Sequence, residues 1–571
     1  MNKKTGRNQI PKSNKAKAST TGRKGRGMRD QHSQRSDNRN VNSSGNYNGD
    51  IDAPATNNPD WWNKSATFAD SVRIPFNRIT GYPISKNDLL PRSIFQDTTI
   101  VADESYPEAI AIPNLMCIHY IPFTGACSNW NDPINRSYMS VYSALAAKTS
   151  GAMQINQPDL AMTTEAANSV IVLIYELKRA LGIANLYSQQ NKTLPYHVLQ
   201  ALHIDPDSII GHQDEIRREL NYYIGALNSL ALPAYTDIHA RRAQLAGNVY
   251  ADEDDVRAAF YAYVTAGYYE YVDTADDISD VEHLKFVYMA ASTPRTADSY
   301  LTAIGDCINA IRNSSAFGLI SAAVQRGFGD RNLLTVEMVP VDFVVIPAVD
   351  RYMTYQTQNA DFIGHYNDLD SKSLHIVQNP VRNALEVIPT IKSNSSHYPE
   401  NWACIVNDNK WLNSYDGITD ADFVIEATRL KVATTAIEDP GFEYGMDIPL
   451  DVTGTEICLN FHIWKVEIVN GKETLTATIH KSWNYVANAD PVAMATQVKF
   501  MCNLSKFKNH PLINFILKTD DVVKTGVITP IPFGDLYRYT IMSGSALQGI
   551  HETALQSIYT LVPSLDIVGE K

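Results

Sequence analysis

Apolar positions along this chain follow two regimes. From about residue 130 to 330 they recur at helical spacing. Pro158 suits a first helical position and Asp159 a first turn. The run from Val170 to Tyr175 is apolar on every face, which predicts a central, buried helix. Lys178 and Arg179 suit its last turn, and Gly182 a left-handed cap. A second helix places Ile216, Leu220, Tyr223 and Leu227 on one face and stops before Pro233. A third is expected from Val256, Ala259, Phe260, Tyr263, Val264 and Gly267, behind Asp254 and Asp255. A fourth carries Leu301, Ile304, Ile308 and Ile311.

After about residue 333 the pattern turns strand-like. The run LLTVEMVPVDFVVIP is apolar and β-branched. The run ICLNFHIWKVEIVNGKETLTATIHKSW reads as two alternating strands joined by Asn470-Gly471, the favoured two-residue hairpin turn, with positive φ expected at both positions. A last helix carries Leu547, Ile550, Ala554, Ile558 and Leu561 and stops at Pro563. No internal repeat is visible, and the fold class is α+β.

Composition adds a division that the pattern does not show. Hydrophobic residues make up 44% of the 571 and charged residues 19%, so most of the chain is globular. The net charge of −13 is unevenly spread. Residues 1–40 hold twelve of the 49 basic residues and two of the 62 acidic ones, a local charge of +10. The other 37 basic and 60 acidic residues give −23. This arm has five apolar side chains in 40, too few to offset the entropy of ordering it. Its basic residues are Lys3, Lys4, Arg7, Lys12, Lys15, Lys17, Arg23, Lys24, Arg26, Arg29, Arg35 and Arg39, spaced by Gly, Ser, Thr and Asn. Flexible positive charge without aromatic platforms suits a nucleic-acid backbone, read through counterion release. A solvated tail and a targeting signal built on GRKGRGMR are the alternatives. An Asn-rich linker follows to residue 60, and the folded part is expected from Trp61-Trp62. No apolar run approaches the roughly 18 residues of a membrane span. The six cysteines form no C-x-x-C pair, so reduced thiols and an intracellular setting are expected.

Motifs for chemistry fail one by one. Gly471-Lys472 lies in the hairpin and lacks the phosphate-loop pattern. His551-Glu552 is followed by Leu555 where a zinc protease needs its second His. No G-x-S-x-G elbow or dinucleotide fingerprint occurs. Gly305-Asp306, Gly329-Asp330 and Gly534-Asp535 each lack the second Asp of a polymerase motif. The fourteen His are scattered and read as structural, so no metal, cofactor or catalytic residue is expected. Residues 251–282 hold ten acids and one base, Arg257. Asp273, Asp276, Asp277, Asp280 and Glu282 are candidates for a divalent cation between subunits. The spacing lacks a calcium-loop pattern, and a solvated loop with a helix cap is the preferred reading.

Several stretches together resemble the capsid protein of picobirnaviruses. They are IAIPNLMCIHYIPFTG, the long run from QPDLAMTTEAANSV to LPYHVLQALHID, EIRRELNYYIGAL, GNVYADED and, more weakly, FGLISAAVQRGFG. The landmarks are Asp159-Leu160, Lys178-Arg179, Tyr187 with Asn191, Leu194-Pro195, and Asn221. The resemblance implies a structural protein, not an enzyme. Such a protein assembles with itself, as dimers, into an icosahedral virion shell around double-stranded RNA in the host cytoplasm, without a membrane span. It implies a disordered basic RNA-binding arm and linker at 1–60 and a helix-rich shell domain at 61–332. A β-rich protruding region would fill 333–571, with a helix at 544–562 returning to the shell. Some relatives lose an N-terminal peptide by self-cleavage, but no matching motif is visible here. The alternatives are a capsid or nucleocapsid protein of another small RNA virus, partitivirus-like, or a cytosolic enzyme with a basic tail.

Overall fold

The computed structural model describes residues 83–85, 109–111, 115–149, 154–186, 193–234, 236–253, 258–290, 293–329, 333–392, 409–414, 420–434, 447–470, 472–487, 500–518, 530–533 and 539–559. The chain separates into Met1–Ile74 and Pro75–Lys571, and every described residue belongs to the second unit.

In chain order its main elements begin with β1 (Leu115–Pro122), α1 (Pro133–Lys148), α2 (Gln157–Ala184), α3 (Gln213–Asn228) and α4 (Ile238–Gly247). Then come β2 (Val249–Ala251), β3 (Phe260–Thr265), β4 (Gly267–Val272), β5 (His283–Tyr288), α5 (Ala297–Asn313) and α6 (Phe317–Phe328). The last are β6 (Ala348–Val349), β7 (Ile376–Asn379), β8 (Ala384–Glu386), β9 (Glu456–Val469), β10 (Lys472–His480) and α7 (Gly544–Tyr559). A mixed six-stranded sheet has the order β10-β9-β1-β3-β2-β6. An antiparallel four-stranded sheet has the order β8-β7-β5-β4.

Helix α2 is the centre, as its apolar run predicts. Pro158 opens it, and the side chains of Asn156 and Asp159 form a capping box. Of its 28 residues all but Tyr175 are buried. An 18-residue window of this helix is apolar enough to cross a membrane, but 94% of that window is buried inside the protein. Gly182 is not a cap, because the helix runs on to Ala184. Its missing Cβ admits a neighbouring backbone instead. Val345 N donates to Gly182 O at 3.2 Å, and a Cβ on Gly182 would lie 2.9 Å from that nitrogen.

The helices with Ile216 and Leu301 form as expected, as α3 and α5. The third expected helix does not: residues 260–272 are β3 and β4. Tyr261 and Tyr263 enter one apolar cluster while Ala262 and Val264 enter another. Both faces of β3 are therefore apolar, which hides the two-residue period.

Leu333–Pro347 also departs from expectation. It lies outside any sheet, with an isolated bridge from Leu333 to Pro233 and a turn at Val341–Asp342, and only the following Ala348–Val349 joins a sheet, as the edge strand β6. Side-chain amides of α3 stand in for a neighbouring strand. Asn221 accepts from Val339 N at 2.7 Å and donates to Val339 O at 3.1 Å. Asn228 does the same for Val336, at 2.8 and 3.0 Å.

The hairpin is as expected at Asn470, where φ is +54° and Val469 faces Lys472. Gly471 lies outside the described residues, as do Leu561 and Pro563. Strand β9 pairs with β1, so the six-stranded sheet crosses the expected border at 332/333. Helix α7 packs on α1, where the Tyr138 and Tyr559 rings lie 5.7 Å apart.

One corner joins the two sheets. Only Ala266 separates β3 from β4, so the chain leaves one sheet and enters the other there. Glu176 of α2, fully buried, accepts from Thr265 N at 2.8 Å and from Tyr300 Oη at 2.8 Å. Arg295 lies 3.5 Å from the same carboxylate and donates to Thr265 O at 2.8 Å and Met289 O at 3.1 Å. Arg179 completes the cluster, 3.6 Å from Glu176. Gly267 has no room for a side chain, since a Cβ would sit 2.3 Å from Val287 O. Glu176→Ala leaves two buried guanidinium groups without their counter-ion and Thr265 N without its acceptor. A loss of about 3–5 kcal/mol is expected by equilibrium urea unfolding. A wild-type midpoint would show that packing alone holds the corner.

Candidate functional site

The twelve basic residues of the arm lie outside the described residues, as do Tyr187 and Asn191. The other landmarks hold the architecture. Asp159 closes the capping box. The Lys178 ammonium sits over the rings of Tyr175 and Phe343, at 5.2 and 5.0 Å. Arg179 donates to Tyr263 O at 2.8 Å and Asn248 O at 3.2 Å. Asn221 grips Val339.

The charged interior is paired as well as buried. Glu456 of β9 receives Arg241 at 3.0 Å and Arg242 at 3.2 Å, both from α4, and the pair of cations holds its carboxyl below the usual range against the effect of burial. Arg242 also donates to Thr455 O at 2.7 Å.

The acidic segment is satisfied by its own neighbours. Asp273 accepts from Ser315 N and Oγ at 3.1 Å, and Glu282 from Tyr271 Oη at 2.7 Å. Asp276 accepts from the amides of Ile278 and Ser279 and lies 3.3 Å from His283 Nε2. These bonds fit the solvated-loop reading.

The buried thiols are poor nucleophiles. Burial pushes Cys117 up to about 12 and raises Cys127, Cys307 and Cys458 as well. A cavity of about 230 Å³ is lined by Cys127, Asp132, His551 and Glu552 among others. Several of its polar groups are already committed, although His551 Nδ1 has no hydrogen-bond partner. Asp132 accepts from the amides of Ser128 and Asn129 at 2.6 and 2.8 Å, and Cys127 Sγ donates to Leu385 O. His551 Nε2 lies 2.9 Å from Thr428 O, and burial lowers its pKa.

Among the described residues, one group of side chains converges as metal ligands do. His119, His203 and His462 place their ligand atoms within 4.8 Å of one another, all buried. No spacing announces this cluster, because His203 lies 84 residues from His119 and His462 arrives on a distant strand. The pairing of β9 with β1 brings His119 and His462 together and the turn after Thr193–Ala201 adds His203, so reading each His singly misses the cluster.

A helix-rich core carries one mixed and one antiparallel sheet, and most of its buried cations are paired within the fold. A crystal structure described as that of the picobirnavirus capsid shares the fold, with a TM-score of 0.71 at 21% identity, covering 90% of this chain and all of that one. The family described as "Picobirnavirus, Capsid protein" matches residues 61–515, and the chain belongs to that family. The capsid protein precursor of human picobirnavirus is 23% identical over 503 residues, 86% of this chain and 88% of that protein. The family match starts at Trp61, so the basic arm lies outside it.

A pH dependence follows from His480. Its ring is buried, 3.9 Å from the Phe500 ring centre, and burial with the nearby His462 lowers its pKa to about 3. An unfolded His takes up its proton near pH 6.5, whereas the folded one stays neutral until about pH 3. The unfolded chain therefore binds the extra proton, and stability falls as pH drops from 6.5 toward 3. By pH 4 this group costs roughly 3 kcal/mol. His480→Phe should lessen the loss of unfolding free energy between pH 7 and 4, read by urea denaturation, by about 3 kcal/mol. An identical pH profile in the variant would assign the loss to other groups.

Proposed function

We propose that this capsid protein assembles from dimers into a closed icosahedral shell around a double-stranded RNA genome, with the arm at 1–40 lying inside against RNA phosphate. The shell forms in the host cytoplasm and is the protein's whole task, with no reaction catalysed. The observation that carries the reading is the capsid family match over residues 61–515. The division of charge, +10 in the arm and −23 elsewhere, supports the assignment of RNA to the arm. Exposed apolar side chains follow one another along a single segment, Met338, Val341, Val344, Ile346, Val349 and Tyr352, and offer the contact area that subunit association needs. In domain terms, the arm and linker take 1–60 and the helix-rich shell 61–332. Residues 333–571 contribute the outer part together with β9 and α7, which return to the shell.

Two measurements test this. Expressed alone, the protein should form closed particles of one size in negative-stain micrographs, sedimenting far above a 63.5 kDa chain. A monodisperse monomer across salt and pH would refute the shell. Deleting residues 1–40, or changing its twelve basic residues to Gln, should leave particles that carry less RNA, read as a lower 260/280 nm ratio after nuclease treatment. RNA affinity of the intact arm should fall steeply with salt, with a log–log slope on the order of −5 to −9. Equal RNA in all three proteins would remove the arm from packaging.

A further inference from the structure

The triad of His119, His203 and His462 has no part in the reading above. His119 on β1 and His462 on β9 are diagonal neighbours on one sheet face, since His119 is opposite Asn460 and His462 opposite Cys117. His203 enters from the turn after the helix Thr193–Ala201, with the left-handed φ of +59° that few side chains adopt. The three are only 3%, 8% and 6% exposed.

Their geometry is close to that of a coordination sphere. His203 Nε2 and His119 Nε2 lie 3.3 Å apart. Two nitrogens bound to one tetrahedral Zn²⁺ at the usual bond length of about 2.0–2.1 Å are separated by about 3.3 Å. All three ligand atoms fall within 4.8 Å of one another, so a small displacement of His462 would complete the sphere.

Two buried polar atoms beside the triad have no partner. They are His462 Nδ1 and Asn460 Oδ1, on residues 6% and 8% exposed. Orphaned polar atoms at such depth cost stability unless a polar ligand meets them. His119, Asn460 and His462 also line a cavity of about 190 Å³ with His365 and Tyr366. That space admits a water as a fourth ligand and offers an entry path. The absence of carboxylates from the triad disfavours Mg²⁺ and Ca²⁺, and three imidazoles favour Zn²⁺.

We propose that His119, His203 and His462 form a binding site for one Zn²⁺ ion, which ties β1, β9 and the 203 turn together across the fold. Zinc bound only to the folded subunit stabilises it by mass action.

The experiment uses the full-length protein, stripped with EDTA and titrated with ZnCl₂ by calorimetry, with metal content read by mass spectrometry. One equivalent per chain is expected, with a rise in melting temperature. Co²⁺ should give the intense visible absorption of a four-coordinate site. His203→Asn keeps a residue that tolerates the left-handed backbone and loses a ligand, and His119→Gln keeps the size of the side chain. Each should weaken Zn²⁺ at least about a hundredfold while leaving the metal-free melting temperature near wild type. Substoichiometric uptake, or binding of wild-type strength in both variants, would overturn the site. If His203→Asn fails to fold, His119→Gln decides alone, and retained binding there refutes the proposal.

Discussion

The Glu176 carboxylate is the constraint on which the rest of this fold depends. It is a buried anion on the central helix, and it must be met by donors wherever the chain runs. The donors come from three places: the backbone of Thr265 at the corner between sheets, the phenol of Tyr300 on α5, and the guanidinium of Arg295 just before it. One side chain thus fixes the depth of α2, the point where β3 becomes β4, and the docking of α5. A second buried anion, Glu456, repeats the device at the same end of the sheet, on the other side of β1, by drawing Arg241 and Arg242 of α4 onto β9. Hydrophobic burial supplies the driving force, and these charges select one arrangement of the layers.

Much of this was legible in the sequence where a local signal has one physical meaning. Pro158, Asp159 and the apolar run after them specify a buried helix start and little else. Asn470-Gly471 specifies a hairpin because few residues accept positive φ. The failures are equally local in origin. Strand β3 carries Tyr261 and Tyr263 on one face and Ala262 and Val264 on the other, so burial on both sides erased its period. The segment around Val336 and Val339 has the composition of a strand, but its partners are the Asn221 and Asn228 amides. Gly182 reads as a cap and serves as a point of close approach for Val345. The histidine cluster depends on strand pairing between distant segments, which no spacing in one sequence encodes.

Charge sorting links the fold to the proposed role in the virion. In the described interior, most cations have a structural partner: Arg179 and Arg295 with Glu176, Arg241 and Arg242 with Glu456, Lys410 and Lys431 with Asp361. Cations spent in this way are withdrawn from RNA. A net −23 outside the arm repels phosphate, and the +10 of the arm attracts it. On the proposed role, shell rigidity and genome contact fall to different parts of one chain, so that neither constrains the composition of the other.

Strands from both sides of residue 332 pair in one sheet, and they should unfold as one cooperative body anchored on α2. Native-state hydrogen exchange tests it most directly. Amides of β9 should open with the same free energy as those of β1 and α2, at the level of global unfolding. If β9 and β10 exchange first, as a separate unit with a distinctly lower opening energy, the hairpin belongs to an independent outer domain and the account is wrong.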